Sequence, residues 1–215
     1  MTAQVMVIAP HPDDESIGCG GTIRLHRERG EQVQVVFLTS GERGIRRRSV
    51  ARARAVREAE AGEALRVLGV QQKEFLRLPD LGVADHLKEG ASRLEVLLRA
   101  GRPGIVYLPH PDEAHPDHRA ALPLVRTALK QLDGSGAATE LRGYEVWSPL
   151  TAHGWAEDIT RHMARKLRAV RCYRSQLADF RYDRAVRGLD EYRGCMAARC
   201  RYAEVFQHFP VRDDS

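Results

Sequence analysis

The sequence has no long apolar run, no CxxC pair, no internal repeat and no low-complexity segment. The first absence excludes a membrane-spanning helix, which needs about 20 consecutive, mostly apolar residues. The stretch "MTAQVMVIAP" lacks the basic head and apolar body of a signal peptide and runs directly into a strand pattern. A cytoplasmic protein is therefore the expectation. Cys19, Cys172, Cys195 and Cys200 lack metal-ligand spacing, so free thiols are expected rather than disulfides or a cysteine metal site. "GCGG" (18–21) lacks the G-x-G-x-x-G pattern and comes too late after its strand to suit a dinucleotide loop.

What is present suits one domain over 1–215: a chain of 215 residues with 43% hydrophobic content can bury its own core. The net charge of +5 is local. "RGIRRRSVARARAVR" (43–57) holds seven arginines and no acid; taking those seven from the 34 basic residues leaves 27 against 29 acidic ones. Without interleaved aromatics, such a patch does not read as a nucleic-acid surface.

Short apolar runs alternate with helical patterns. Strands are expected at 4–9, 32–39, 74–79, 104–109 and 141–147, with a loop at 133–138. Helices are expected at 16–29 and 50–68, with Gly30 and Gly69 past their ends. Val83, Leu87, Ala91, Leu94, Leu97 and Leu98 trace a third helix, and Leu122, Val125, Leu129 and Leu132 a fourth. After Pro149 come helices near 161–174, capped by Thr160, and 184–203. This order predicts an α/β fold: a Rossmann-like, mainly parallel sheet with flanking helices and a C-terminal helical part.

Two polar clusters follow strands. "PHPDDE" (10–15) ends the first and "HPDEAHPDH" (110–118) follows the fourth. Open parallel sheets bind ligands beyond the carboxyl ends of their strands, so clusters about 100 residues apart can share one crevice. Adjacent carboxylates are costly to desolvate unless a cation or donors stand among them. Catalytic zinc commonly takes three His and Asp/Glu ligands and leaves a position open. His11 and Asp14 can grip one ion, and one histidine of the second loop completes the set. Of His115 and His118, one can bind metal while the other faces substrate, and Asp117 can fix the imidazole of His115.

"PHPDDE" with a later "HPDH" resembles the LmbE-like, or PIG-L-like, zinc-dependent N-acetylglucosaminide deacetylases, including those of the bacillithiol and mycothiol pathways. "TSGERG" (39–44), "REAEAGEALRVLGV" (57–70), "YRSQ" (173–176) and "RYAEVFQ" (201–207) extend the likeness along the chain. The resemblance implies a Zn2+ ion on His11, Asp14 and His118. It implies Asp13 as general base, and His115, with Asp117 as its partner, as stabiliser of the tetrahedral intermediate; a protonated His115 suits that task. It also implies Arg57 as a substrate contact. Glu15 is expected at a helix N-terminus or behind the ligands.

The implied substrate is a small N-acetylated amino sugar, with GlcNAc-malate as one case, since the arginines favour an anionic aglycone. Neither nucleic acid nor membrane is expected as a partner. A homo-oligomer is compatible with the sequence, which does not fix the state of assembly. The rival readings are a metal-dependent hydrolase of another amide or ester, and a non-catalytic Rossmann-like protein binding an anion or nucleotide.

Overall fold

The computed structural model describes residues 5–132 and 139–211, so the loop expected at 133–138 lies outside the described residues. Five parallel strands form most of the sheet: β1 (Val5–Ala9), β2 (Val33–Phe37), β3 (Gln72–Phe75), β4 (Ile105–Pro109) and β5 (Glu140–Tyr144). Two further strands, β6 (Trp155–Asp158) and β7 (Ala203–Phe209), join antiparallel, giving the order β3-β2-β1-β4-β5-β7-β6.

The central strands are apolar on both faces because both faces are covered. Val5, Val7 and Ala9 pack with Val35, Phe37 and residues of helices α1 (Asp14–Glu28), α2 (Val50–Leu68) and α5 (Met163–Val170). Met6, Ile8, Val36, Val106 and Leu108 point the other way, against helices α3 (Leu87–Gly101) and α4 (Pro116–Lys130). Each fully buried aliphatic side chain contributes about 1.5–3 kcal/mol. The strand order reverses direction between β1 and β4, which makes the gap beyond their carboxyl ends the switch point where such sheets bind ligands.

The C-terminal region departs from the expected helical part. Helix α6 (Arg174–Leu177) is separate from α5, and α7 (Tyr182–Arg193) gives way at Gly194 to a π turn and then to β7. The chain folds back after Arg199, which is left-handed at φ 52°, and the Arg201 backbone then packs on Gly194, where a Cβ would lie 2.6 Å from it. Thr160 does not cap α5, whose N-cap is His162; its hydroxyl accepts from the Tyr202 N–H at 3.2 Å. The third strand sits at 72–75 rather than 74–79, although Leu76 and Leu78 still donate to the carbonyls of Phe37 and Leu38. No helix among the described residues is long and apolar enough to cross a membrane, and all four cysteines are free.

Helix α1 is broken at Cys19, whose φ of −142° and ψ of 23° are non-helical. The break frees the N–H groups of Gly21 and Thr22, which donate to the Glu204 carboxylate at 2.8 and 2.7 Å. Lys166, fully buried, lies 2.8 Å from both Glu204 and Asp190. One cation thus ties α5 to β7 and α7 beneath α1. Removing one partner of such a network leaves uncompensated buried charge. Lys166→Met is expected to lower stability by about 3–5 kcal/mol, read as a fall in urea midpoint; an unchanged midpoint would contradict the assignment.

Candidate active site

Both expected clusters meet beyond β1 and β4. His11 Nδ1, Asp14 Oδ2 and His118 Nε2 form a nearly equilateral triangle: 3.3 Å between the histidines, 3.3 Å from His11 to Asp14 and 3.2 Å from His118 to Asp14. A tetrahedral ion with bonds of about 2.0–2.1 Å has ligand-to-ligand edges of about 3.3–3.4 Å. The other Asp14 oxygen is buried and without a hydrogen-bond partner. Size, donor set and this orphaned oxygen all fit a metal cage. His115 also brings a ring nitrogen within 4.8 Å of those of His11 and His118.

The groups behind the cage fix its rings. His11 Nε2 lies 3.1 Å from Asp117 Oδ2 and 3.4 Å from Asp80 Oδ1. His118 Nδ1 lies 3.4 Å from Glu113 Oε2. Carboxylates in these places hold metal-binding imidazoles in one tautomer and orientation. Glu113 also accepts the Val146 and Trp147 N–H groups at 2.7 and 3.0 Å, which ties the segment after β5 to the cage. Burial favours the neutral form of Asp14, but the His118 charge and hydrogen bonds from both histidines override it and hold the carboxyl well below its usual range. Burial works against charging His118, yet Asp14 and Glu113 raise it to about 9. The cage's field favours a cation.

Asp13 sits beside the cage with φ of 129°, a conformation costly for a side-chain-bearing residue. Several groups hold it there. The Tyr182 hydroxyl donates to Oδ2 at 3.1 Å, and Arg57 lies 3.5 Å from Oδ1 while donating to the Pro12 carbonyl. Gly41, at φ 60°, clears the space for that guanidinium, since a Cβ there would come within 2.9 Å of it. Burial pushes Asp13 up to about 6, against the pull of Arg57. Glu15, in the first turn of α1, is buried and accepts from the Tyr173 and Ser16 hydroxyls at 2.6 and 2.5 Å and from the Asp13 N–H at 3.2 Å. Burial pushes it up to about 7.

The link between His115 and Asp117 takes another form than expected. The Asp117 carboxylate accepts from the Leu81 and Val83 N–H groups and faces His11; its own backbone N–H donates to His115 Nδ1 at 3.2 Å. Burial and the neighbouring histidines lower His115, which favours its neutral form, and the Asp117 N–H engages Nδ1 as an acceptor. Arg57 lines the pocket and is only 3% exposed; its Nη2 serves the Asp13 loop, while its Nε and Nη1 are buried without a hydrogen-bond partner. His110 turns away to the Ser148 carbonyl, and Asp112 is exposed. Sequence reasoning missed Asp80, Glu113, Tyr173 and Tyr182. The only local signals were the place of Glu113 inside the second cluster and of Tyr173 inside "YRSQ".

A pocket of about 270 Å3 opens over His11, Asp13, Asp14, Asp80 and His115. The family described as PIG-L, GlcNAc-PI de-N-acetylase, matches residues 6–129, which include every residue of the cage. The chain belongs to the PIG-L family. This PIG-L chain is 31% identical to the diacetylchitobiose deacetylase of Thermococcus kodakarensis over 96% of its own length and 83% of that protein. A conserved protein of Thermus thermophilus superposes with a TM-score of 0.84 at 32% identity, covering 99% of this chain and 97% of that one. The 4-carboxy-2-hydroxymuconate hydratase of Pseudomonas putida superposes at 0.78 and 26% identity, covering 100% and 99%.

For this PIG-L chain, His118→Ala opens the triangle. Adding a divalent transition metal to metal-free protein is expected to raise the melting temperature of the unaltered chain and to leave His118→Ala unmoved. Equal shifts in both would place the ion elsewhere.

Proposed function

We propose that the chain is a zinc-dependent N-deacetylase of a small N-acetylglucosamine-containing molecule, releasing acetate and a free amine. The observation that carries this reading is a buried, strained carboxylate, Asp13, next in sequence to a cage residue yet outside the triangle, on the wall of the same pocket. His11, Asp14 and His118 are the residues that hold the ion. Zinc bound there supplies a Lewis acid for the amide carbonyl and eases deprotonation of the attacking water.

Asp13 accepts the proton of that water as the C–O bond forms, and returns it to the departing nitrogen as the C–N bond then breaks. Its rise to about 6 suits a group that must both take and give a proton near neutral pH. His115 donates from Nε2 toward the developing oxyanion, its Nδ1 being engaged by the Asp117 N–H. Asp117 orients His11 through its carboxylate and His115 through its backbone. Arg57 serves as counter-charge to Asp13 through Nη2, and its unpartnered Nε and Nη1 on the pocket wall suit a substrate contact.

The aglycone end of the pocket is basic. A groove of about 650 Å3 shares Arg43, Asp80 and Leu81 with it and continues past Glu42, Arg46 and Arg48 to the N-terminus of α2, so that three arginines face two acids. Helix N-termini and arginines both favour anions. The substrate is therefore an N-acetylglucosaminide with a negatively charged aglycone, of the GlcNAc-malate kind.

Likeness to a hydratase makes acetate the product to measure. Asp13→Asn is expected to keep its metal while losing about 100-fold or more in kcat, followed as acetate release from N-acetylglucosaminides. Near-normal turnover would remove Asp13 from the reaction, and no acetate from any substrate would remove the deacetylase reading. Charge reversal of Arg46 and Arg48 together is expected to raise KM for an anionic substrate about tenfold, with little change for a neutral one; about 0.5 M salt should shrink the difference, since it cuts the screening length to about 4 Å. Equal effects on both substrates would leave the arginines as a solvated face.

A further inference from the structure

Polar and charged groups make up most of the wall of the catalytic pocket. Among the described residues that line it, Leu81 and Trp147 are the two with large apolar side chains. Leu81 is shared with the basic groove, and Trp147 takes no part in that groove. Trp147 is 43% exposed. An indole left partly in water forgoes the burial that usually stabilises it, so the contacts that keep it on the pocket wall carry information.

The segment bearing Trp147 is gripped by the loop bearing His118. Glu113 Oε1 accepts the backbone N–H groups of Val146, Trp147 and Ser148 at 2.7, 3.0 and 3.2 Å. His110 Nε2 donates to the Ser148 carbonyl at 2.7 Å, and the Ser148 hydroxyl accepts from the Ala114 N–H at 3.0 Å. The other Glu113 oxygen lies 3.4 Å from His118 Nδ1. One buried carboxylate thus spans the cage and the tryptophan. The indole also meets the Tyr182 ring, with centroids 5.6 Å apart and planes at 84°, and the Tyr182 hydroxyl donates to Asp13 Oδ2 at 3.1 Å. Trp147 is therefore fixed relative to both His118 and Asp13 before any ligand arrives.

An indole there supplies what the polar wall lacks. A pyranose with equatorial substituents, such as N-acetylglucosamine, turns its hydroxyls outward along the rim and C–H bonds toward its faces. Those hydrogens carry partial positive charge and suit the negative face of an aromatic ring. We propose that Trp147 is the platform for the amino-sugar ring, so that the site selects a pyranose over an open-chain acetamide, and that Glu113 is the positioning residue that sets this platform against the cage. This rests on the deacetylase reading above.

The chain has two tryptophans, and Trp155 lies apart in β6, with the Arg142 guanidinium carbon 4.1 Å from its ring centroid. Trp155→Phe therefore leaves Trp147 as the indole emitter. In that background, with the metal loaded and Asp13→Asn to stop turnover, methyl N-acetylglucosaminide is expected to shift the emission saturably. N-acetylglucosaminitol, the same acetamide and hydroxyls on an open chain, is expected to leave it unmoved. In acetate release, Trp147→Leu and Trp147→Ala are expected to raise KM for the methyl glycoside about five- to tenfold, with kcat within about twofold; Trp147→Phe, which keeps an aromatic face, stays near the unaltered protein. All three should leave turnover of the open-chain compound and the metal-induced melting shift unchanged. Glu113→Ala is expected to lose the emission response and to weaken metal binding together, and Glu113→Gln, which keeps an oxygen for the three N–H groups, to restore the emission response. Equal emission changes with both compounds, or equal kinetic losses on both, make Trp147 a plain wall and overturn the platform while the deacetylase stands. A full emission response in Glu113→Ala overturns the positioning role. No acetate from either compound overturns the deacetylase reading and, with a silent emission, the platform as well.

Discussion

Three consecutive carboxylates can be buried at one strand end only if each is compensated, and each here is compensated differently. Moving an ionised carboxylate out of water costs several kcal/mol even after the protein relaxes. Asp14 is met by two imidazoles, Asp13 by a guanidinium and a phenol, and Glu15 by two hydroxyls and a backbone N–H. Those partners come from the loop before α1, α4, α2, the turn before α6, α7 and α1 itself. Much of the architecture around β1 exists to bring these groups to one point.

The compensation also divides the labour. A carboxyl held well below its usual range, as Asp14 is, keeps its charge and suits a cation. One raised toward neutrality, as Asp13 is, suits proton exchange. Adjacent residues of the same chemistry are thus made different by their surroundings alone. The unfavourable φ at Asp13 turns its side chain away from the triangle that Asp14 completes, and the hydrogen bonds of Tyr182, Arg57 and Glu15 around it offset the strain.

The parallel half of the fold was legible because its strands are apolar on both faces and its helices end in glycines such as Gly69, whose φ is 77°. That His11, Asp14 and His118 share one crevice was legible because histidines and acids crowd two short loops after strands. The rest depends on distance. Asp80 and Glu113 are single acids in loops, and no spacing marks what they face until β1, β4 and the segment after β5 are side by side. Tyr182 lies 169 residues from the carboxylate it touches. The segment that became β7 follows a strong helical pattern, and its strand pairing with β5 and β6 joins residues up to 68 positions apart.

The order in which the chain is made separates the two halves of the site in time. All three cage residues have been synthesised by position 118, whereas Tyr173 and Tyr182 follow more than fifty residues later. At about 5–20 residues per second, that is a gap of several seconds. Once residue 144 has been added, β5 has no neighbour on its far side until β7 is made. On the ribosome, the three residues of the His11, Asp14 and His118 triangle therefore leave before the two tyrosines that surround Asp13 and Glu15.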